Sequence, residues 1–586
     1  MGKKGLRRFT IGALLMLGSI STAASTSSAG DNVGISDQDD VVTITPSPSA
    51  ASIMMTASPT SVTSPTPSPV AAQTPAPASA NSDAAPTSGS DTPSLNDPIP
   101  KPECNASIPV TMRYSSTTKR LYLEKLENGT RGGCVMLEQI WMARGGGEPE
   151  GVKAPLYAVD SDGAVSANAT GIWLLTEDLY VKDGITLKLW GSVAGGDTDE
   201  LRLKSAPAVD GGNATVINLR GHGGNIDILH TKVVSWDTEA NDYDMNESDG
   251  RSYISVVSEK LSDPVQTCDG NAKNEMGEAR MDIVSSEVGY LGYKNSESYG
   301  LTWKVRGFCK DKSNPEIFDD VNVYGNIYDS EIHHNHYGMY TFGHERGDWR
   351  RNMMHSNTGY GFDPHDDSDF LTIHDNTVYD NGWHGIIASK RCNNVSIQGN
   401  EVYGGGDTSA GIFLHRSSDF AVVKDNYCHH NGDAGMAMLE SSDSLISDNV
   451  FEANKYGVRM SVGCTNNTVS NNAFSDTLQY ALYTYEGSDA PDVQPTGYSQ
   501  NNVWKANSIT GGPQPMKFKE SDGNQLIDNV FTNPGIMEFA STTDNVVTGN
   551  IGFDEATEIK VSAPVCFIST DEASLVTQEV LDACTE

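Results

Sequence analysis

The 586-residue chain sets 40 lysines and arginines against 77 aspartates and glutamates, a formal charge of −37. That balance excludes a general nucleic-acid binder, which needs a basic footprint. Length excludes a single-core globule, whose ceiling is about 250–300 residues, so the chain holds several domains or one elongated repeat.

Residues 1–29 read as a secretory signal peptide. Lys3, Lys4, Arg7 and Arg8 precede an apolar run from Ile11 to Leu17, and the small residues Ala23, Ala24 and Ala29 follow. An uncleaved anchor is the alternative, but the run falls short of the roughly 20 apolar residues of a spanning helix. No other stretch is membrane-spanning, so a secreted, extracellular protein without an integral membrane domain is expected. Residues 30–100 turn to Ser, Thr, Pro and Ala and cannot bury enough apolar surface to order themselves; they are expected as a disordered, O-glycosylated linker. Residues 101–555 are expected to form the folded body and 556–586 a C-terminal tail. Nine cysteines without CxxC pairs argue against a zinc site. In an exported chain some pair as disulfides, with Cys566–Cys584 closing the tail and Cys268–Cys309 tying down an insertion at about 239–278. Asn-x-Ser/Thr triplets from Asn105 to Asn466 suit the same route.

From residue 299 one phrase returns: an aromatic or small residue, usually glycine, then alternating apolar residues. It begins at Tyr299, Tyr337, Tyr360, His384, Ala410, Ala434, Tyr456 and Tyr480, and after the first gap the steps are 23, 24, 26, 24, 22 and 24 residues. A second register runs beside it at Asn376, Asn400, Asn426, Asn449 and Asn472, each preceded by Asp, Gly or Asn. Two phase-locked patterns of this period mark a solenoid. The expected fold is all-β, a right-handed parallel β-helix of 22–26-residue coils with an internal asparagine ladder. A leucine-rich horseshoe would need regularly spaced leucines, which are missing.

Strand alternation sorts the side chains. Counting the first residue of each phrase as zero, offsets two and four are apolar and face inward: Phe362, Ile386, Ile412, Met436 and Val458, then Trp303, Leu414, Met438 and Met460. Offsets three and five then face outward, giving Tyr340 and Phe342, Asp363 and His365, Ser389, and Phe413 and His415. Pro364 sits inside this strand, where it removes a ladder hydrogen bond, and such local violations gather at functional sites.

Tyr360-Gly-Phe-Asp-Pro-His-Asp-Asp resembles the YGxDPH(D/E) signature of mannuronan C5-epimerases. The blocks beginning at Trp173, Gly221, Leu291 and His384 are similar to successive blocks of the periplasmic bacterial and brown-algal enzymes, so the likeness runs over about residues 150–480. It implies conversion of mannuronate to guluronate within alginate, an anionic polysaccharide, by a monomeric enzyme. The calcium-binding nonapeptide modules of some extracellular epimerases are missing; no motif here requires calcium or another cofactor, and no metal ligands are assigned.

The chemistry asks for three roles: a neutraliser of the substrate carboxylate, a base on one face of C5 and an acid on the other. His365 is the expected base, since a neutral imidazole accepts a proton near physiological pH and it matches the motif histidine. Tyr360 matches the motif tyrosine and is the candidate acid, with water as a substitute; tyrosines at the same offset elsewhere allow a stacking role instead. Lys390 and Arg391 are both candidates for neutralising the carboxylate, and one of Asp363 and Asp366 for sharing a proton with it. Substrate contacts are expected from Asp366, His384, Arg416, His415, Lys294 and Tyr340, with an Asp366–Lys390 ion pair as the alternative for Asp366. His333, His334 and His336, and His429 with His430, are expected in solvated turns and not at a metal. A polysaccharide lyase that eliminates across C4–C5 is the closest rival, and a catalytically silent wall-binding protein a more distant one.

Overall fold

Dipeptides such as Asp375-Asn376, Gly399-Asn400 and Asp425-Asn426 set the turns on which the fold depends. The first residue of each adopts a left-handed backbone, with φ of 55°, 61° and 56°, a conformation Gly, Asp and Asn tolerate best. The asparagine that follows then points inward. In the computed structural model, which describes residues 40–45, 97–146, 155–206, 215–259, 277–295, 297–306, 318, 321–532, 535–552, 557–561 and 565–567, these asparagines stack coil on coil.

Asn400 shows the pattern. Its backbone N–H and side-chain amide both donate to Asn426 Oδ1, at 3.0 and 2.9 Å, and the same amide donates to the Ile373 carbonyl at 2.9 Å. Its own Oδ1 accepts from Asn376 N–H at 3.0 Å and from the Asn376 amide at 2.9 Å. The ladder runs from Asn352 through Asn376, Asn400, Asn426, Asn449, Asn472, Asn507 and Asn529 to Asn550. A second one joins Asn467, Asn502, Asn524 and Asn545. Replacing Asn400 with Ala leaves the Asn376 donors buried without acceptors, so a loss of about 3–5 kcal/mol is expected in denaturant unfolding; a loss below about 1 kcal/mol would mean the ladder is ornamental.

The chain is a right-handed parallel β-helix. Among the described residues three sheets of 17, 16 and 15 strands run its length. Ladder steps of 24, 26, 23, 23 and then 35 residues give the coil sizes after Asn376, the last coil carrying an extra loop. Earlier coils are longer: Leu291 N–H donates to Asn335 across 44 residues. Apolar side chains fill the bore, with Trp173, Trp303, Trp349, Trp504 and Phe362 almost wholly buried.

The first sheet carries the expected outward face. Phe362 is in register with Met339 on one side and Ile386 on the other, all buried, while Asp363 stands opposite Tyr340 on the outer surface of the sheet. The strand Phe362–Asp363 is only two residues long. Pro364 cannot donate, but its carbonyl still accepts from Ser389 N–H at 2.9 Å, and pairing resumes with the His365–Ser389 bridge.

Two boundaries differ from expectation. The linker is not structureless throughout, because Asp40–Ile44 pairs antiparallel with Val110–Ser115, and that strand with Arg120–Glu124. Its β-branched run supplies the edge that covers a hairpin the parallel ladder leaves open. The solenoid also continues past 555: Glu558–Val561 and Val565–Phe567 add to two of the sheets. Cys104 and Cys134 form a disulfide, and Cys392, Cys428 and Cys464 are buried thiols. The signal peptide, the Cys268–Cys309 pair and Cys584 of the Cys566–Cys584 pair lie outside the described residues. No helix among the described residues is long and apolar enough to cross a membrane.

Candidate active site

His365 projects from the first sheet with about a quarter of its side chain exposed, 23%. Its Nδ1 hydrogen-bonds the Asp366 carboxylate. That partner assigns the proton to Nδ1 and leaves the Nε2 lone pair bare, the tautomer a base requires. Asp366 is held in turn by Arg391, whose Nη2 lies 3.1 Å away. The same guanidinium grips Asp367 through two bonds of 2.9 and 2.7 Å. Burial pushes the Asp366 carboxyl up, but the His365 bond and the charges of His365, Lys390 and Arg391 outweigh it and hold it below the ordinary range. The expected Asp366–Lys390 pair is therefore replaced by Asp366–Arg391. The fork geometry of arginine spans two neighbouring carboxylates, which an ammonium cannot do. Lys390, one coil on from Asp366, forms no ion pair or side-chain hydrogen bond with a described residue, and its charge acts on Asp363 and Asp366.

Asp363 is 1% exposed, and neither carboxylate oxygen has a hydrogen-bond partner among the described residues. Burial raises its pKa from 3.8 to about 7, against the opposing pull of His365 and Lys390. A folded-state pKa raised in this way stabilises below the ordinary value, and the contribution is lost as pH climbs towards 7. Asp363→Asn removes the charge. Relative to the parent, its unfolding free energy should therefore improve by a few kcal/mol between about pH 4 and pH 8. Parallel unfolding curves at the two pH values check this; a constant difference would contradict the buried, proton-holding carboxyl.

Tyr360 stands in an aromatic cluster, 5.1 Å from Tyr337, 4.9 Å from Trp383 and stacked 5.7 Å from His384 between ring centres. Burial raises its phenol above the ordinary range, so it keeps its proton. His384 Nδ1 accepts from Ala410 N–H at 2.9 Å, which puts the ring proton on Nε2, and burial pushes its pKa down to about 3. His415 lies 3.0 Å from the Ser389 hydroxyl and is likewise driven down to about 3 by burial. Tyr340 leans on His365 with ring centres 5.5 Å apart. Tyr360, Asp363, His365, Asp366, Lys390, Arg391, His384, His415 and Tyr340 thus share one outward face over four consecutive coils.

Comparison with known proteins places this face in context. The family model described as periplasmic copper-binding protein (NosD) matches residues 294–490, the run that contains the regular coils. The mannuronan C5-epimerase of Pseudomonas putida is 30% identical over 182 residues, 30% of this chain and 34% of that one. That of Azotobacter vinelandii, AlgG, is 29% identical over 295 residues, 50% of this chain and 49% of its own. The chain is a relative of the mannuronan C5-epimerases. It spans between a third and a half of the length of these two relatives. A crystal structure of the periplasmic alginate epimerase AlgG shares the fold, with a TM-score of 0.52 and 19% identity over 72% of this chain and 84% of that one.

Of two further residues expected on this face, Lys294 lies on a turn and Arg416 is already engaged by carboxylates of this chain. Lys294 is exposed on the turn ahead of the strand Gly300–Arg306, and its charge acts on His336. Arg416 follows Lys390 one coil on, but its guanidinium is taken by Glu440 at 3.4 Å, Asp489 at 3.2 Å and Asp492 at 3.1 Å. Of the histidines expected in solvated turns, His430 is exposed and His334 and His429 are half-buried, but His333 and His336 are packed. His333 and His336 are 7% and 5% exposed, His333 stacks on His355, and His336 pairs with Glu247. Among the described residues no group of three or more His, Cys, Asp or Glu is arranged to hold a metal.

Lys304 was missed. It lies in register with Phe342, which puts it in the His365 column two coils earlier. Its Nζ is 2.7 Å from Glu297, and burial lowers its pKa to about 8, opposed by the charge of Asp366. It holds offset five of the Tyr299 phrase, directly after Trp303 at offset four, so the register itself was the signal that could have found it.

Proposed function

We propose that this protein is a mannuronan C5-epimerase acting within the alginate polymer. The observation that carries the reading is a histidine oriented by a carboxylate–arginine pair, set beside a buried carboxyl and a lysine that have no hydrogen-bond or ion-pair partner among the described residues. They supply the base and the neutraliser that C5 deprotonation needs, and the Tyr360 phenol on the same face is the candidate acid.

In the proposed cycle Lys390 faces the C6 carboxylate of the reacting mannuronate. Asp363, with its pKa near 7, keeps its proton below that pH and shares it with the same carboxylate. Together they lower the charge that would otherwise make the dianion inaccessible. His365 Nε2 takes H5, and the positive charge it gains is met by Asp366. The C5–H electron pair moves into the C5–C6 bond. The Tyr360 phenol, kept protonated by burial, delivers a proton to the opposite face of C5, the C5–H bond reforms, and the ring is inverted. Solvent then returns a proton to Tyr360 and removes one from His365.

The cationic leader and exported relatives favour a protein that leaves the cytoplasm and meets the polymer outside it. The net charge of −37 repels a polyanion at long range, so capture relies on local cations and on salt screening.

Incubation with polymannuronate tests the reading against elimination. The expected result is a rising guluronate fraction by proton NMR with constant chain length and no new ultraviolet absorbance. Shortened chains that absorb in the ultraviolet would assign the protein to the lyases.

A further inference from the structure

The coil that spans 35 residues spends its excess on the loop between the strands ending at Tyr485 and starting at Ser499. The loop turns back along the edge of the first sheet, where Asp366, Lys390, Arg416 and Glu440 succeed one another coil by coil. Each is tied to the next coil: Asp366 N–H to Ser389, Lys390 N–H to His415, Arg416 N–H to Leu439 and Glu440 N–H to Ser461, at 2.8, 2.7, 2.8 and 3.0 Å. Glu440 is 1% exposed and accepts three consecutive backbone N–H groups, from Asp492, Val493 and Gln494, at 2.8, 2.6 and 3.0 Å. A buried carboxylate bonded this way is a fixed anchor. With the loop pinned there, Asp489 and Asp492 set carboxylates 3.2 and 3.1 Å from Arg416, and the Ala490 carbonyl accepts from the same guanidinium at 3.2 Å.

Arg416 and Lys390 hold the same place on adjacent coils, about 4.8 Å apart along the solenoid, a distance comparable with one sugar ring. The two loop aspartates therefore present carboxylates to a cation one coil beyond the one assigned to the reacting unit. Asp492 is 66% exposed and Asp489 29%, so these contacts are screened and easily exchanged, whereas the buried Glu440 keeps the guanidinium aimed.

We infer that Arg416 is a carboxylate subsite for the uronate next to the one that reacts, and that Asp489 and Asp492 are built-in substrate mimics that cap it while the groove is empty. A polyuronate displaces the two aspartates and takes their place. The inference rests on the proposed function, because it presumes a polymer with a carboxylate on each unit.

The test uses the full-length protein and a fluorescent mannuronate decamer, with binding and turnover measured side by side. Asp489→Asn with Asp492→Asn uncaps Arg416, and KM and Kd should fall about five- to tenfold, the change lying in KM and not in kcat. Adding Arg416→Gln to that pair should erase the gain. Asp375→Asn with Asp425→Asn removes the same charge from turns between the other two sheets and should leave both constants unaltered. Unchanged KM and Kd on uncapping, an equal fall in the distant pair, or a gain that survives Arg416→Gln would overturn the inference. Binding without epimerisation by the unmodified protein would instead sink the catalytic reading, and the Kd comparison would still judge the subsite.

Discussion

His365→Gln lowers the epimerisation rate by roughly 10³-fold, the scale of a lost general base. Glutamine fills a similar volume and can still bond Asp366, but it has no lone pair of suitable basicity for H5. The imidazole is partly exposed and its carboxylate partner keeps Arg391, so the melting temperature stays close to that of the parent. The loss falls on kcat, because the polymer is held by other groups along the face. Turnover within tenfold of the parent would move the base elsewhere. Asp366→Asn provides a graded companion: it keeps a hydrogen bond to Nδ1 but removes the charge that meets the imidazolium, so a smaller loss is expected, seen in single-turnover rates.

Lys390→Gln and Arg391→Gln separate two neighbours that sequence reasoning left open. Lys390→Gln lowers kcat by about 10²–10³-fold, as loss of a preorganised charge aimed at the developing dianion does. It changes stability little, since the ammonium has no ion-pair or hydrogen-bond partner among the described residues. Arg391→Gln does the reverse. It strips the partner from Asp367, whose side chain is only 7% exposed, and loosens Asp366. The arginine itself is 37% exposed, which softens the effect to about 1–3 kcal/mol of stability. Activity falls through a less well-oriented His365 and not through charge neutralisation. Denaturant melts beside initial rates distinguish the pair; a stable, inactive Arg391→Gln with a fully active Lys390→Gln would invert the assignment.

Much of this was legible because the physics is periodic. A fixed step between Gly-containing phrases announces stacked coils, and alternation from Phe362 to His365 separates bore from surface without any knowledge of neighbours. The asparagine register carried its own explanation in the residue before it, which must take a left-handed backbone. Lys390 and Arg391 could not be told apart by spacing. Both sit at positive φ, at 65° and 60°, where alternation no longer predicts direction, and only contacts reveal which one is engaged. Lys304 stood at offset five of a phrase already numbered through Trp303, so its outward position was legible in the alternation. Arg416 was placed on the correct edge, yet its masking depends on aspartates 73 and 76 residues later in a loop, a pairing that neither period nor motif encodes. The strand Asp40–Ile44 was absorbed into its surroundings because five residues among prolines and serines carry little pattern.

On the proposed function, the face around His365 exchanges the C5 proton of a uronate in an intact chain. Polymannuronate incubated with the protein in heavy water, followed by proton NMR, measures it directly. Guluronate units whose C5 position carries deuterium are expected, appearing at the rate of inversion and vanishing with His365→Gln. Guluronate that retains its original C5 hydrogen, or a polymer left unlabelled and uninverted, would contradict it.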